Sequence, residues 1–157
     1  MRAGLAQKAG FPVERLNEIH GAWGDAKNPV LMMDDKLRDD LESWMSSWVD
    51  HCTCCLALGT SLCGMYADCV AEATAARHLA GGAGQHGLVI INLQPTPYDD
   101  RSSLRFWGVL DDVLKAIAKA LRMSAPNKVA VARGQEWVRS HPNCTYNTPK
   151  RKTNAPL

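Results

Sequence analysis

The sequence predicts an α/β fold, in the form of a partial Rossmann-like parallel sheet with helices on both faces. Two apolar runs of strand length, Cys52–Leu58 and Leu88–Ile91, end abruptly in small polar residues. An Ala-rich stretch, Met65–Leu79, lies between them and favours helix. A strand, a helix and a second strand in this order predict a parallel pair joined by a right-handed crossover.

The segment that precedes these elements predicts two helices and one short strand. A short helix is expected near Gly4–Ala9, and Pro12 in the following turn prevents it from continuing. A short strand is expected to reach Ile19, with His20 and Gly21 at its end. A longer helix follows, because five apolar residues recur with helical spacing on one face. These residues are Leu37, Leu41, Trp44, Met45 and Trp48.

Beyond the second strand, the sequence predicts a closing helix that packs on the sheet. Gly81 and Gly82 are suited to end the Ala-rich helix before that strand. Farther on, apolar residues again repeat at helical spacing, over residues 109–121. They are Val109, Leu110, Val113, Leu114, Ile117, Ala118 and Leu121.

Length and charge suggest one domain followed by a basic tail. For 157 residues one compact domain is the default, and we assign it to residues 1–123. Up to Met123 the chain holds 12 basic and 15 acidic residues, whereas from Ser124 onward it holds 6 basic and 1 acidic. Residues 124–157 have the proline-rich, polar composition of a largely disordered tail. Such a tail could contact nucleic acid, but a solvated arm is the favoured interpretation.

The sequence argues against a protein with a membrane-spanning helix and against a secreted protein. No apolar stretch approaches the roughly 18–20 residues that a membrane helix needs, and the N-terminus lacks the apolar core of a secretory signal. We therefore expect an intracellular protein, in the nucleus or the cytoplasm, with its six cysteines reduced. Cys52, Cys54 and Cys55 lack the paired spacing of zinc ligands, so they are expected to be buried structural thiols, and no metal site is predicted.

Polar residues follow both predicted inner strands at the point where each strand ends. Gly59, Thr60 and Ser61 follow the first strand, and Asn92 follows the second. In open α/β sheets the loops at the carboxyl ends of parallel strands hold the ligand. Glycine lets the backbone come close to a ligand, while hydroxyl and amide groups can bind ribose or phosphate oxygens. The pattern therefore predicts a nucleotide site at this edge of the sheet.

Four segments, taken in order, resemble the sirtuins, the NAD-dependent protein lysine deacylases. They are Asn-Glu-Ile-His-Gly at 17–21, Leu-Gly-Thr-Ser-Leu at 58–62, Ile-Ile-Asn-Leu-Gln-Pro-Thr at 90–96 and Trp-Gly-Val-Leu-Asp-Asp-Val at 107–113. Each is weak alone, but four in order make a specific signal that covers about residues 4–122. The resemblance implies a DHS-like fold, NAD as cofactor and removal of acyl groups from protein lysines, with histones among the conceivable substrates.

The resemblance also implies roles for single residues. His20 would be the general base that takes a proton from a ribose hydroxyl, a role that suits the ordinary pKa of histidine, about 6.5. Gly59, Thr60 and Ser61 would line the NAD ribose and phosphate site. The remaining NAD contacts would lie at the adenosine end. They are Asn92, Leu93, Gln94 and Leu110.

Two departures from the sirtuin pattern are visible. Sirtuins open with a strand and a Gly-Ala-Gly-x-Ser loop, which has no counterpart here, so the N-terminal strands of the fold are expected to be missing. Sirtuins also usually insert a zinc ribbon after His-Gly, whereas only six residues, 22–27, bridge that position here. No zinc is expected. Two alternatives stay open: a non-catalytic sirtuin-like fragment that binds a partner, and a generic nucleotide-binding α/β domain.

Overall fold

The computed structural model describes residue 6 and residues 9–22, 25–32 and 34–123. The chain divides into two compact units, and among the described residues the smaller unit holds those up to Asp35 and the larger unit holds residues 36–123. The predicted tail at 124–157 and most of the predicted helix near Gly4–Ala9 lie outside the described residues.

The larger unit is a three-stranded parallel sheet with helices. In chain order its elements are α1 (Asp39–His51), β1 (Cys54–Leu58), α2 (Asp68–Leu79), β2 (Gly87–Asn92), β3 (Leu104–Trp107) and α3 (Leu110–Ala120). The strands lie side by side in the order β1-β2-β3, and both pairs are parallel. The predicted α/β class, the parallel pair and the crossover helix between its strands are thereby confirmed.

Strand β2 is central and buried on both faces. The side chains of Leu88 and Ile90 point to one face and that of Ile91 to the other, and all three are completely buried. On the first face, Leu88 and Ile90 form the core with residues of β1 and α2, among them Ala57, Ala71 and Ala75. Small alanines on α2 let the helix approach the sheet closely. Helix α3 contacts β2 as well.

Helix α1 is joined to α2 by an arginine. The guanidinium of Arg77, on α2, donates hydrogen bonds to the carbonyl oxygens of Val49 and Cys52, at the C-terminal end of α1. These carbonyls have no partner within their own helix, so the arginine satisfies them and adds a favourable charge at the negative end of the helix dipole. The C-terminus of α2 is closed by Gly81, whose φ of +75° agrees with the predicted helix end.

Strand β3, Leu104–Trp107, is a finding that the sequence did not predict. The strand has only four residues, one of them is Arg105, and Leu104 and Trp107 remain more than half exposed. It therefore lacks both the alternation and the apolar run by which strands are recognised. Parallel pairing with β2 defines it, with Ile91 opposite Phe106 and Asn92 opposite Trp107.

The prediction of a short strand that reaches Ile19, in the smaller unit, is wrong. Residues 13–15 form a single turn of 3₁₀ helix, and Ile19 and His20 lie in a turn in which the Gly21 amide donates to the Glu18 carbonyl at 2.8 Å. The segment has no neighbouring strand to pair with among the described residues. Local turn hydrogen bonds therefore satisfy its backbone instead.

The cysteines differ from the expectation of buried thiols. All five described cysteines are free, and three of them are exposed: Cys54 on β1, an edge strand of the described sheet, Cys63 in the loop after it, and Cys69 in the first turn of α2. Cys55 is the one most enclosed by the core, and burial raises the pKa of its thiol to about 11. Within the described ranges, no group of three or more His, Cys, Asp or Glu residues is arranged to hold a metal ion, and no helix is long and apolar enough to cross a bilayer.

Truncation of a core leucine should show how strongly the larger unit depends on β2. We expect Leu88→Ala to lower the free energy of unfolding by about 2–5 kcal/mol, because Leu88 is completely buried. The same substitution at Leu104, which is 56% exposed, should cost less than about 1 kcal/mol. Urea unfolding of both variants checks the difference, and equal losses would contradict the description of β2 as the buried centre.

Candidate functional site

The loops that follow β1 and β2 are joined by hydrogen bonds at the carboxyl edge of the sheet. The Gly59 amide donates to the Ile91 carbonyl at 2.9 Å, which extends the pairing of β1 and β2 by one residue. The side-chain amide of Asn92 donates to the Thr60 carbonyl at 2.8 Å. The structure thus brings together the two sets of residues in which the sequence predicts a nucleotide site.

Asn92 bridges these loops through both ends of its side chain. While Nδ2 donates to Thr60, Oδ1 accepts the Leu93 amide at 2.9 Å. An asparagine amide has two donor hydrogens and two acceptor lone pairs, so one of each remains for a ligand. Asn92 is therefore a structural link between the loops, and its predicted contact with a ligand stays a prediction.

Gly59 leaves open space at the end of β1. Its φ is +62°, a left-handed conformation that glycine adopts readily, and no atom lies within 4 Å of the place that a Cβ would take. The Thr60 hydroxyl accepts the Leu62 amide at 3.2 Å, while Ser61 is exposed beside it. This backbone can be approached by a phosphate or ribose without displacing a side chain.

The predicted adenosine-end residues lie after β2 and β3. Leu93 and Gln94 are exposed in the loop that follows Asn92, and Leu93 is 66% exposed. Leu110 is the first residue of α3 and is half-buried. Since Asn92 pairs with Trp107, three residues before Leu110, the ends of β2 and β3 face the same edge of the sheet.

A largely buried ion pair next to this loop was missed by sequence reasoning. Arg105 and Asp99 form a salt bridge at 2.8 Å, with side chains only 11% and 19% exposed. Thr96 donates to Asp99 through its hydroxyl at 2.7 Å and through its amide at 3.1 Å. Burial works against ionisation of Asp99, but the hydrogen bonds from Thr96 and Arg105 outweigh it and hold the pKa of this carboxyl below its ordinary value. The available signal was an arginine among three apolar residues, Leu104, Phe106 and Trp107.

His20 lies in the smaller unit, in a loop held by its own hydrogen bonds. Its carbonyl accepts the Leu31 amide at 3.1 Å, and its side chain is half-buried. The buried Asn28 donates from its side chain to the Glu18 carbonyl at 2.9 Å, and its carbonyl accepts the Ala22 amide at 2.8 Å. Asparagine is a common turn former, yet Asn28 here ties the loop before His20 to the loop after it.

No protein-family model matches this chain. Solved structures of Sir2 do match it. Sir2 with the inhibitor EX-527, 2'-O-acetyl-ADP-ribose and a deacetylated p53 peptide has a TM-score of 0.52 and 22% identity, and the match covers 62% of this chain and 40% of that one. Sir2 bound to an acetylated peptide has a TM-score of 0.50 and 20% identity, over 71% of this chain and 46% of that one.

The chain shares its fold with Sir2. A Sir2 mutant with a p53 peptide and NAD gives the same TM-score of 0.50 at 20% identity. Identities of 20–22% support the fold, which confirms the predicted sirtuin-like architecture. The chain spans less than half the length of each of these three Sir2 chains, namely 40–46%.

Gly21 should be intolerant of any side chain in the Sir2-like fold. Its φ is +83°, and a Cβ built there would lie 2.0 Å from the Pro29 carbonyl oxygen. We expect Gly21→Ala to abolish the protection from hydrogen exchange of the Ala22 and Leu31 amides, which hold this loop. Gly64→Ala is the matched control, since Gly64 has a φ of +96° with nothing within 4 Å, and it should leave that protection intact. Equal exchange in both variants would contradict the close contact.

The Asp99 carboxylate should make stability depend on pH. Because its folded-state pKa is depressed, its contribution is present above the unfolded-state pKa of about 3.9 and is lost as the pH falls through the folded-state value. Wild type should therefore be more stable than Asp99→Asn at about pH 7, with a difference that shrinks below about pH 4. Urea unfolding across this range checks the result, with Asp100→Asn, at an exposed neighbour, as control. A difference in the free energy of unfolding between wild type and Asp99→Asn that does not change with pH would refute this role of the Asp99 carboxylate.

Proposed function

We propose that this chain carries part of the NAD-binding catalytic domain of a sirtuin-type protein-lysine deacylase. One observation supports this above others. The Gly59–Ser61 and Asn92–Gln94 loops lie side by side at the carboxyl edge of a parallel sheet and are joined by the Asn92–Thr60 hydrogen bond, in a fold shared with Sir2. Nucleotides bind at this edge in open α/β folds.

The residues at the edge carry groups whose chemistry suits the parts of NAD. The open backbone at Gly59 admits a phosphate, and the exposed Ser61 offers a hydroxyl to ribose or phosphate oxygens. Gln94 and the remaining capacity of Asn92 suit the polar groups of adenosine, while Leu93 and Leu110 offer apolar surface for the adenine ring. In this proposal the first loop takes the ribose and phosphate, and the second loop with Leu110 takes the adenosine end.

In the proposed reaction His20 serves as the general base. NAD, when bound, supplies an activated ribose that accepts the acyl group as nicotinamide departs. The His20 imidazole would take a proton from a ribose hydroxyl through a ring nitrogen. Gly21 and Asn28 hold the backbone on either side of this histidine, which restricts where its ring can point.

We further propose acylated-lysine proteins as substrates. This proposal draws on the Sir2 structures of similar fold, of which one holds an acetylated peptide and another a deacetylated p53 peptide. Histones are one class of lysine-rich protein to include in a substrate screen. An intracellular location, in the nucleus or the cytoplasm, would accord with such substrates.

Calorimetric titration of the full chain with NAD, followed by an assay on an acetyl-lysine peptide, tests the proposal. Wild type should bind NAD and release nicotinamide and free lysine peptide. His20→Ala should lose turnover by at least about a hundredfold, the usual size of a general-base contribution, while NAD binding persists. His86→Ala, at an exposed histidine of the other unit, is the matched control and should behave as wild type. Turnover retained in His20→Ala would reject this histidine as the base.

A second candidate function is a nucleotide-binding or interaction module without catalysis. It is favoured by β1, an edge strand of the described sheet whose Leu56 and Leu58 are 50% and 38% exposed. Exposed apolar residues on an edge strand are typical of a surface that pairs with another chain. NAD binding without any deacylation by the full chain would favour this candidate, and the absence of heat up to millimolar NAD would count against the enzyme.

A further inference from the structure

Arg105 donates hydrogen bonds to backbone carbonyls at the end of β2 and in the loop after it. Its side chain is 11% exposed, and Nη1 donates to the Asn92 carbonyl at 3.1 Å while Nη2 donates to the Gln94 carbonyl at 2.8 Å. The same Nη1 donates to the Phe106 carbonyl at 2.6 Å. Two of the three carbonyls therefore belong to the first and last residues of the loop proposed for adenosine.

This loop has little other backbone support among the described residues. Strand pairing ends at Asn92, where β2 ends, and the Leu93 amide is bound only by the side chain of its neighbour. The Gln94 carbonyl thus lies beyond the sheet and needs a donor from elsewhere, whereas the Asn92 carbonyl belongs to the last paired residue of β2. A guanidinium reaches both at once, because its five donors form a rigid planar fork. A lysine ammonium is a compact point charge and cannot span them in this way.

Two neighbours orient the guanidinium. Its Nε donates to Asp99 Oδ1 at 2.8 Å, and Asp99 is in turn held by Thr96. The guanidinium carbon lies over the Trp107 ring, 3.8 Å from its centroid, in a cation–π contact. The salt bridge and the aromatic ring together hold the guanidinium where its Nη atoms donate to the loop. Residues of the segment 96–107 are thereby combined into a single support for residues 92–94.

We propose that Arg105 is a positioning residue that holds the Asn92–Gln94 loop in its ligand-binding conformation, with Asp99 and Trp107 orienting its guanidinium. The ligand part of this inference rests on the proposed function. The loop-holding part does not, since it concerns the conformation of the free protein. No contact between Arg105 and the ligand is required, because the arginine acts through the carbonyls of the loop.

The test compares Arg105→Lys and Arg105→Met with Arg101→Lys and Arg101→Met in the full chain. Arg101 is the matched control, because it also lies near an aromatic ring and a carboxylate, yet it is 57% exposed and its contacts are with Tyr98 and Glu72 rather than with the loop. Two measurements are made on every variant. Calorimetry gives the affinity for ADP-ribose, and NMR hydrogen exchange gives the protection of the Leu93 amide and of amides inside β2.

We expect both Arg105 variants to bind ADP-ribose roughly tenfold or more weakly than wild type, in keeping with the loss of charged hydrogen bonds. Leu93 should exchange faster while the amides inside β2 keep their protection, and the Arg101 variants should match wild type in both readouts. Wild-type affinity and wild-type Leu93 exchange in Arg105→Lys would overturn the proposal. Faster exchange throughout β2 would overturn it as well, because that result identifies a general stabiliser of the fold.

Failure of the proposed function gives a distinguishable result. If wild type binds no ADP-ribose, the nucleotide site is rejected, whereas Leu93 exchange still decides the role of Arg105. Faster Leu93 exchange in Arg105→Lys with an unchanged β2 would then support loop positioning alone. Unchanged Leu93 exchange would overturn it. If the Arg105 variants fold poorly, Asp99→Asn tests the same proposal, because it removes the salt bridge that orients the guanidinium. This variant should also make the Leu93 amide exchange faster than in wild type.

Discussion

The parallel pairing of β2 with both of its neighbours is the constraint on which the rest of the larger unit depends. Because β2 is buried on each face and bonded along each edge, its burial sets where α2 packs and where β1 and β3 end. Parallel strands point their carboxyl ends to one edge. The Gly59 loop, the Asn92 loop and the start of α3 therefore share that edge, although they are separated widely in the chain.

Once the strands end, side chains replace the sheet as the source of hydrogen bonds. Asn92 ties the second loop to the first, and Arg105 ties the second loop to β3. The arginine is costly to bury, and its salt bridge with Asp99 together with three backbone carbonyls compensates for the loss of water. Apolar packing could supply the same stability. A polar network whose hydrogen bonds are all made also selects one conformation of the loop, and this is the effect we assign to it here.

In the smaller unit, the backbone of the loop around His20 is also held by side-chain and turn hydrogen bonds. This unit has no sheet among its described residues, and the backbone around His20 is held by the buried Asn28 and by a glycine that fits closely against Pro29. Turn hydrogen bonds and one buried side chain thus fix the backbone around His20 without a sheet.

The sequence by itself determined the α/β class, strands β1 and β2, the three helices of the larger unit and the polar loops at the strand ends. These features depend on local signals, because apolar runs, helical periodicity and turn residues are readable over a few positions. Only the tertiary structure revealed β3, the turn that replaces the expected strand before His20, and the roles of Asn28 and Arg105. None of these follows from a local periodic pattern: β3 exists because β2 offers it an edge, and Arg105 is largely enclosed because Asp99, Trp107 and the loop carbonyls converge on it. Such contacts leave no periodic trace in a single sequence, so the support for the candidate site became visible only in the folded chain.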